Sequence, residues 1–340
     1  MRKKKIYLHI GTHKTGSTFI QNTLEDIGNE KLKKEDTFYI NKPNFYYSGI
    51  TKKEVFDKKI VSTIKTEINK IIKKNENVNN FILSNEWFSG HYDYGYKNAS
   101  VISEMLYYAL NMYDVKILVY LRRQDEFLES LYTQLIHQGG SLTFDEFLNN
   151  LPDNSFNWNN LILGYEKYFG KENIFPVIYS NKRQDFDIQK NFSWLIRSNL
   201  FLNHDTNEMS ANKGYSRKAL EIALRLNKYL PNSEKKSLRQ YLQQHHHKTI
   251  EDSYNYMDIY NRNKLLNQYE KSNQELIARY SKILNKKKFP EINKNLKDEN
   301  IDLSLDEVTD IIGKWISLKG IHSSKDNSIS NLIYKLLFKK

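Results

Sequence analysis

The sequence predicts an α/β fold: a mostly parallel central sheet flanked by helices, followed by a helical C-terminal region. Three observations predict it. Apolar runs of strand length recur at 5–10, 80–84, 115–121 and 173–180, helical patterns stand between them, and after about residue 185 the strand signal stops while helical periodicity continues. Strands separated by helices favour βαβ units, whose crossovers make the strands run parallel.

In order along the chain, residues 5–10 read as a buried strand and 18–27 as the helix leaving a Gly-rich loop. A helix is expected over 53–74 from the spacing of Val55, Ile60, Ile64, Ile68, Ile71 and Ile72, leading to the strand "NFILS" at 80–84. A helix at about 101–112 precedes the strand "VKILVYL", 115–121. The segment 124–138 has acidic residues in its first turn, where the helix dipole favours them, and "GG" at 139–140 as its stop. "SLTFDEFL" opens a short helix, and the Pro in "NIFPVIYS", 173–180, marks an edge strand or a strand end. Helices are expected at 216–230 and 269–284, a Lys- and Asn-rich linker at 285–300, and two short amphipathic pieces after 303. The expected division is one domain over 1–285, its α/β core reaching about 185, and an appendage over 286–340.

Composition narrows the function. The 340 residues include 39% hydrophobic and 13% aromatic side chains, enough for a core despite the abundance of Lys and Asn. There is no cysteine, which removes disulfides, thiolate metal sites and a thiol nucleophile, and fits a reducing compartment. Residues 2–5, "RKKK", imitate the start of a secretory leader, but His9, His13 and Lys14 interrupt the apolar run and no small-residue cleavage site follows. With no run of spanning length, a soluble, cytoplasmic protein is expected. The formal charge is +12, yet four of those charges lie in 2–5 and a net four in 282–340, so no nucleic-acid-binding face is expected. The final "NLIYKLLFKK" has the character of a membrane-surface or partner contact, with packing on the main domain the favoured reading. His245, His246 and His247 are consecutive and fan around a helix, so no metal site is expected there.

The chemistry concentrates in "IYLHIGTHKTGSTFIQNTL", 6–24. A turn of Gly, Thr and Ser between strand and helix offers successive backbone N–H groups and a positive dipole end to an anion, of which phosphate is the expected one. "GTHKTGST" nearly fits the pattern G-x-x-x-x-G-K-[ST], but its Lys, Lys14, stands two residues before Gly16 rather than after it. A nucleoside triphosphatase of that class would also end a strand in an Asp for magnesium; "ILVYL" ends instead in Arg122 and Arg123. A cation at that point favours a ligand with a further anionic group and no metal. Ser130, eight residues after Arg122, falls in the second turn of the next helix.

These residues resemble sulfotransferases that use 3'-phosphoadenosine 5'-phosphosulfate (PAPS). "LHIGTHKTGSTFIQ" is similar to their 5'-phosphosulfate loop and "VYLRRQDEFLESLY" to their 3'-phosphate motif; with "FILSNEWFS" and "YEKSNQELIARY" the likeness runs over roughly 5–285 and is greatest to bacterial, carbohydrate-sulfotransferase-like members. The resemblance implies a P-loop-NTPase-like core, PAPS as co-substrate, no required metal, and a carbohydrate or glycan hydroxyl as acceptor. It further implies that Lys14 contacts the bridging and sulfuryl oxygens, that Thr15, Gly16, Ser17 and Thr18 cradle the 5'-phosphate, and that Arg122 and Ser130 hold the 3'-phosphate. "NKGYSRK", 212–218, resembles the family's later Arg-Lys-Gly loop with Asn212 in the Arg position, which brings in Lys213 and Gly214.

An acceptor hydroxyl needs a base near the strand ends: Glu86 stands first, followed by His91 and His13. Glu86 has the competing reading of a turn cap or a partner for a cation, His9 reads as a packed core residue, and Arg123 as a solvated strand end. Trp87 and Phe88 either line an acceptor cleft or belong to the core. Two rivals stay open: a magnesium-dependent kinase, and a catalytically silent nucleotide- or glycan-binding module.

Overall fold

A computed structural model describes residues 3–180, 185–205, 214–248, 255–292 and 303–318. Lys213, half of the expected linker (293–300), the second amphipathic piece and the terminal "NLIYKLLFKK" lie outside the described residues. Two compact units divide the chain: Met1–Phe127, Leu151–Met209 and Asn263–Ile292 form the first, and Leu128–Asn150, Ser210–Arg262 and Asn293–Lys340 the second.

The first unit is α/β. Its five-stranded sheet comprises β1 (Lys5–His9), β2 (Thr37–Ile40), β3 (Asn80–Ser84), β4 (Asp114–Leu121) and β5 (Ile174–Ile178), in the order β2-β3-β1-β4-β5. All four pairings are parallel. β1, β3 and β4 read as continuous apolar runs because a parallel sheet is covered on both faces. Pro176 lies on β5, an edge strand, where a missing N–H is tolerated.

β2 was not among the expected strands. Its four residues, "TFYI", are too few to show a period, and it becomes a strand through pairing Thr37 with Asn80 and Ile40 with Leu83. The helix expected from residue 53 begins later, at Lys58, because the Asp57 side chain accepts from the N–H groups of Lys59 and Ile60 and so sets the start. Val55, counted in that stripe, is 72% exposed, whereas Ile60, Ile64, Ile68 and Ile72 are buried. Helices Trp158–Phe169 and Ile188–Ile196 were not anticipated either; each opens on a side-chain cap, Asn157 and Asp187 respectively.

One sheet face carries Tyr7, Leu118, Tyr120 and Val177 and packs beneath helices Ser17–Ile27 and Ile188–Ile196. In this topology crossovers from β1 and β3 depart to opposite sides of β1, which makes the carboxyl ends of β1, β3 and β4 the switch point where such sheets bind ligands.

The second unit is helical among its described residues, with Phe144–Asn149, Arg217–Asn227, Asn232–His245 and Leu305–Leu318. Thr143 and Glu146 form a reciprocal capping box. Asn227 donates to the carbonyls of Ile136 and Gly140, and the buried Arg262 guanidinium donates to Glu129 at 2.7 Å. His245 ends its helix, and His247 pairs with Tyr215 in an isolated antiparallel bridge. No helix among the described residues is long and apolar enough to cross a membrane.

Candidate active site at the carboxyl ends of the strands

The loop after β1 is held by its own hydroxyls. The Ile10 N–H donates to Leu118 O, the Thr12 hydroxyl to Tyr120 O at 3.0 Å, and the Thr15 hydroxyl to Thr12 O at 2.6 Å. The hydroxyls of Thr12 and Thr15 therefore shape the loop, leaving backbone amides and other side chains for a ligand. Gly16 adopts φ 86° and caps helix Ser17–Ile27 with no side-chain hydrogen bond to its first turn. The first-turn N–H groups of a helix have no partner within it, so this end presents donors and the positive dipole to an anion. A Cβ on Gly16 would stand 2.5 Å from Ile188 Cδ1, a second reason for glycine there. Ser17 is buried and its Oγ has no hydrogen-bond partner among the described residues, while Thr18 is exposed beside it.

Two cations converge on this loop. Arg122, directly after β4, donates from Nη1 to Lys14 O at 3.3 Å and lies 3.4 Å from Glu126 Oε2; its own carbonyl accepts from Trp158 Nε1 at 2.7 Å. Lys14 is exposed and has φ 63°. Desolvation by the surrounding protein, then the Arg122 guanidinium, bring its ammonium down to about 8, against an opposing pull from Glu86.

Arg123 corrects the expectation of a solvated strand end. It is buried, forms a bidentate pair with Asp125 at 2.6 and 2.9 Å, reaches Glu126, and donates to Pro290 O. The acidic first turn of Gln124–His137 thus acts through ion pairs with the two arginines as well as through the dipole.

Two of the base candidates, Glu86 and His13, are close enough to Lys14 to act on its charge or to feel it. Glu86 follows β3 and accepts from Gln21 Nε2 at 3.1 Å; Asn85, not Glu86, caps the turn by accepting from Trp87 N–H. Gly11 lets Glu86 approach, since a Cβ at Gly11 would stand 2.9 Å from Glu86 Cβ.

His13 is buried. Its backbone N–H donates to the Tyr96 hydroxyl at 3.0 Å, Nδ1 lies 2.5 Å from the same oxygen, and Nε2 has no partner among the described residues. Burial, then the charges of His91 and Lys14, push the imidazole down to about 3, so it is neutral at ordinary pH. Trp87 and Tyr92 meet its ring edge-on at 4.6 and 5.4 Å between centroids. His91, lowered by burial, caps the next turn: its Nδ1 accepts from Asp93 N–H and its own N–H donates to Asn98. Phe88 is fully buried core, whereas Trp87 is half-buried beside His13.

Lys14, Gly16, Ser17, Thr18, Arg122, Glu86 and His13 accordingly belong to one neighbourhood in the first unit. Ser130 is half-buried on Gln124–His137 and Gly214 accepts from Lys248 N–H; both belong to the second unit. Thr12, Gln21 and Tyr96 escaped the sequence reading. Gln21, one turn after Ser17 on the same helix face, was available from spacing; nothing local marks Tyr96, which reaches His13 across 83 positions. No group of three His, Cys, Asp or Glu arranged to hold a metal occurs among the described residues.

No protein-family model matches the chain, and no curated protein matches it. Among solved structures, the chain is similar to a sulfotransferase from Alicyclobacillus acidocaldarius, at 12% identity and a TM-score of 0.38, over 70% of this chain and 95% of that one. It is also similar to a retinol dehydratase in a complex with retinol and PAP, at 9% identity and a TM-score of 0.30, over 83% of this chain and 82% of that one. The functional reading therefore comes from the residues.

Proposed function

We propose that the protein is a sulfotransferase that moves a sulfuryl group from PAPS to an acceptor hydroxyl, with a carbohydrate as the acceptor class. The observation that carries this reading is the pairing of Lys14 and Arg122, tied by a hydrogen bond, at a helix N-terminus without a side-chain cap on the switch point of a parallel sheet. The donor has anions at both ends of its ribose, and two cations plus a helix dipole match that charge. The unpartnered Ser17 hydroxyl adds a buried donor toward the same loop.

In the reaction the acceptor oxygen attacks sulfur, the sulfur–oxygen bond to the 5'-phosphate breaks, and the acceptor proton passes to a protein base. Such transfers depend chiefly on positioning and charge stabilisation. Lys14 and the loop amides would stabilise charge growing on the departing phosphate; a well-placed donor of this kind is commonly worth about 3–4 kcal/mol. Glu86 is the favoured base. His13, lowered to about 3, is a poor proton acceptor near neutrality, and His91 Nδ1 already accepts a backbone N–H. His13 Nε2 is better suited to orienting the transferred group, and the half-exposed Trp87 and Tyr92 beside it to packing against a sugar face.

Calorimetric titration with adenosine 3',5'-bisphosphate and with ADP tests the reading. Metal-free preference for the bisphosphate, reduced at least about tenfold (~1.4 kcal/mol) in Arg122→Ala, is expected. Equal binding of ADP, or stronger binding of ADP with magnesium, would overturn it in favour of a kinase. Bisphosphate binding without turnover on any sugar acceptor would favour the silent binding module.

A further inference from the structure

The same sheet face holds a concavity away from the loop. A cavity of about 610 Å³ lies between β1, β4 and β5 and the helix Ile188–Ile196. Its volume falls within the range of small-molecule sites. Tyr7, Leu118, Phe175 and Leu195 give it apolar walls, and Lys5, Lys116, Lys190 and Arg197 give it charge. No acidic residue lines it among the described residues.

Part of that charge is compensated nearby. Lys116 pairs with Asp114 at 2.9 Å and Lys190 lies 3.8 Å from Asp187, whose carboxylate also caps the helix. Arg197 forms no ion pair among the described residues and ends the helix at φ 58°. The hydroxyls of Ser193 and Ser198 already donate to Gln189 O and Glu35, which leaves the cations as the recognition groups. Trp194, also lining the cavity, is 70% exposed. An indole held in water beside cations offers a stacking face for a planar group.

We propose that this cavity binds a small amphipathic anion, its planar apolar body between Trp194 and the Tyr7–Phe175 wall and its acidic group on Lys190 and Arg197. Concave shape favours a small molecule over an extended acidic chain, and the cation set selects an anion. None of the lining residues belongs to the candidate active site, so the proposal stands apart from the sulfotransferase reading.

A matched pair of fluorescent probes tests it: 8-anilinonaphthalene-1-sulfonate and its uncharged counterpart N-phenyl-1-naphthylamine. The sulfonate should bind saturably with one-to-one stoichiometry and more tightly than the neutral probe. Lys190→Gln combined with Arg197→Gly should weaken the sulfonate by about tenfold and leave the neutral probe unchanged; glycine suits the left-handed conformation at 197. Trp194→Ala should weaken both probes, and Lys14→Ala neither. Melting curves establish that each variant is folded, and the double variant alone suffices if Trp194→Ala fails to fold. Equal affinity for the two probes, indifference to the double variant, or loss of sulfonate binding in Lys14→Ala would overturn the proposal. So would retention on phosphatidylglycerol vesicles or polyglutamate that the sulfonate fails to displace.

Discussion

The two ends of one sheet face gather cations in different ways. At the carboxyl ends, Lys14 and Arg122 sit on turns pinned by hydrogen bonds from side chains to backbone carbonyls beside a helix N-terminus, so charge, dipole and amide donors gather in one place. At the amino-side cavity the cations come from strand positions 5 and 116 and from both ends of one helix, Lys190 in its first turn and Arg197 at the negative pole of its last. A parallel sheet places its post-strand turns and helix N-termini at one end only. The carboxyl end therefore suits a strongly anionic ligand held in a fixed orientation, and the cavity suits a partly apolar one held by side chains alone.

The largest expected contrast comes from Lys14→Met. Turnover should fall by about 10²- to 10³-fold, as for loss of one stabilising donor, while sulfonate-probe binding at the cavity stays at the wild-type value. Single-turnover kinetics and fluorescence on the same preparation decide whether the two ends are independent. Bisphosphate affinity should also fall as pH rises through about 8, because the ammonium loses its proton there, and this dependence should vanish in Lys14→Met. Calorimetry at pH 7 and 9 reads it directly.

Gly16→Ala places a Cβ at φ 86° against Ile188, the helix that continues toward the cavity. A loss of about 2 kcal/mol in urea unfolding is expected from the strained backbone and close contact together. If probe binding at the cavity falls with it, that helix couples the ends.

The smallest effect concerns His9, fully buried with Nδ1 2.8 Å from Ser84 Oγ and lowered to about 3 by burial. Below its ordinary value of 6.5 the unfolded chain takes up a proton that the folded chain refuses. Its contribution is thus complete above pH 6.5 and declines as pH falls toward 3. His9→Asn should flatten the stability loss between pH 7 and 5.5 by about 1 kcal/mol, measured by urea unfolding.

Much of this was legible in sequence. β1, β3, β4 and β5 announced themselves because burial on both faces demands unbroken apolar runs, and the Gly-rich turn because only certain residues allow a strand to feed a helix so tightly. β2 was silent, since a four-residue edge strand owes its existence to its neighbour. Arg122 and Arg123 were indistinguishable as letters. Asp125 takes one into a buried pair, while the other turns to the Lys14 carbonyl.

By itself, the sequence determined the α/β class, the chain positions of four of its five strands and the place of a Gly-rich turn between strand and helix, because these follow from local periodicity, backbone preference and residue type. Only the tertiary structure decided that His13 is neutral and joined to Tyr96, that Glu86 is held by Gln21, and that a cation-lined cavity opens beside Trp194. Each of those depends on burial and on partners far away in the chain, and desolvation and distance exist only once the chain has folded.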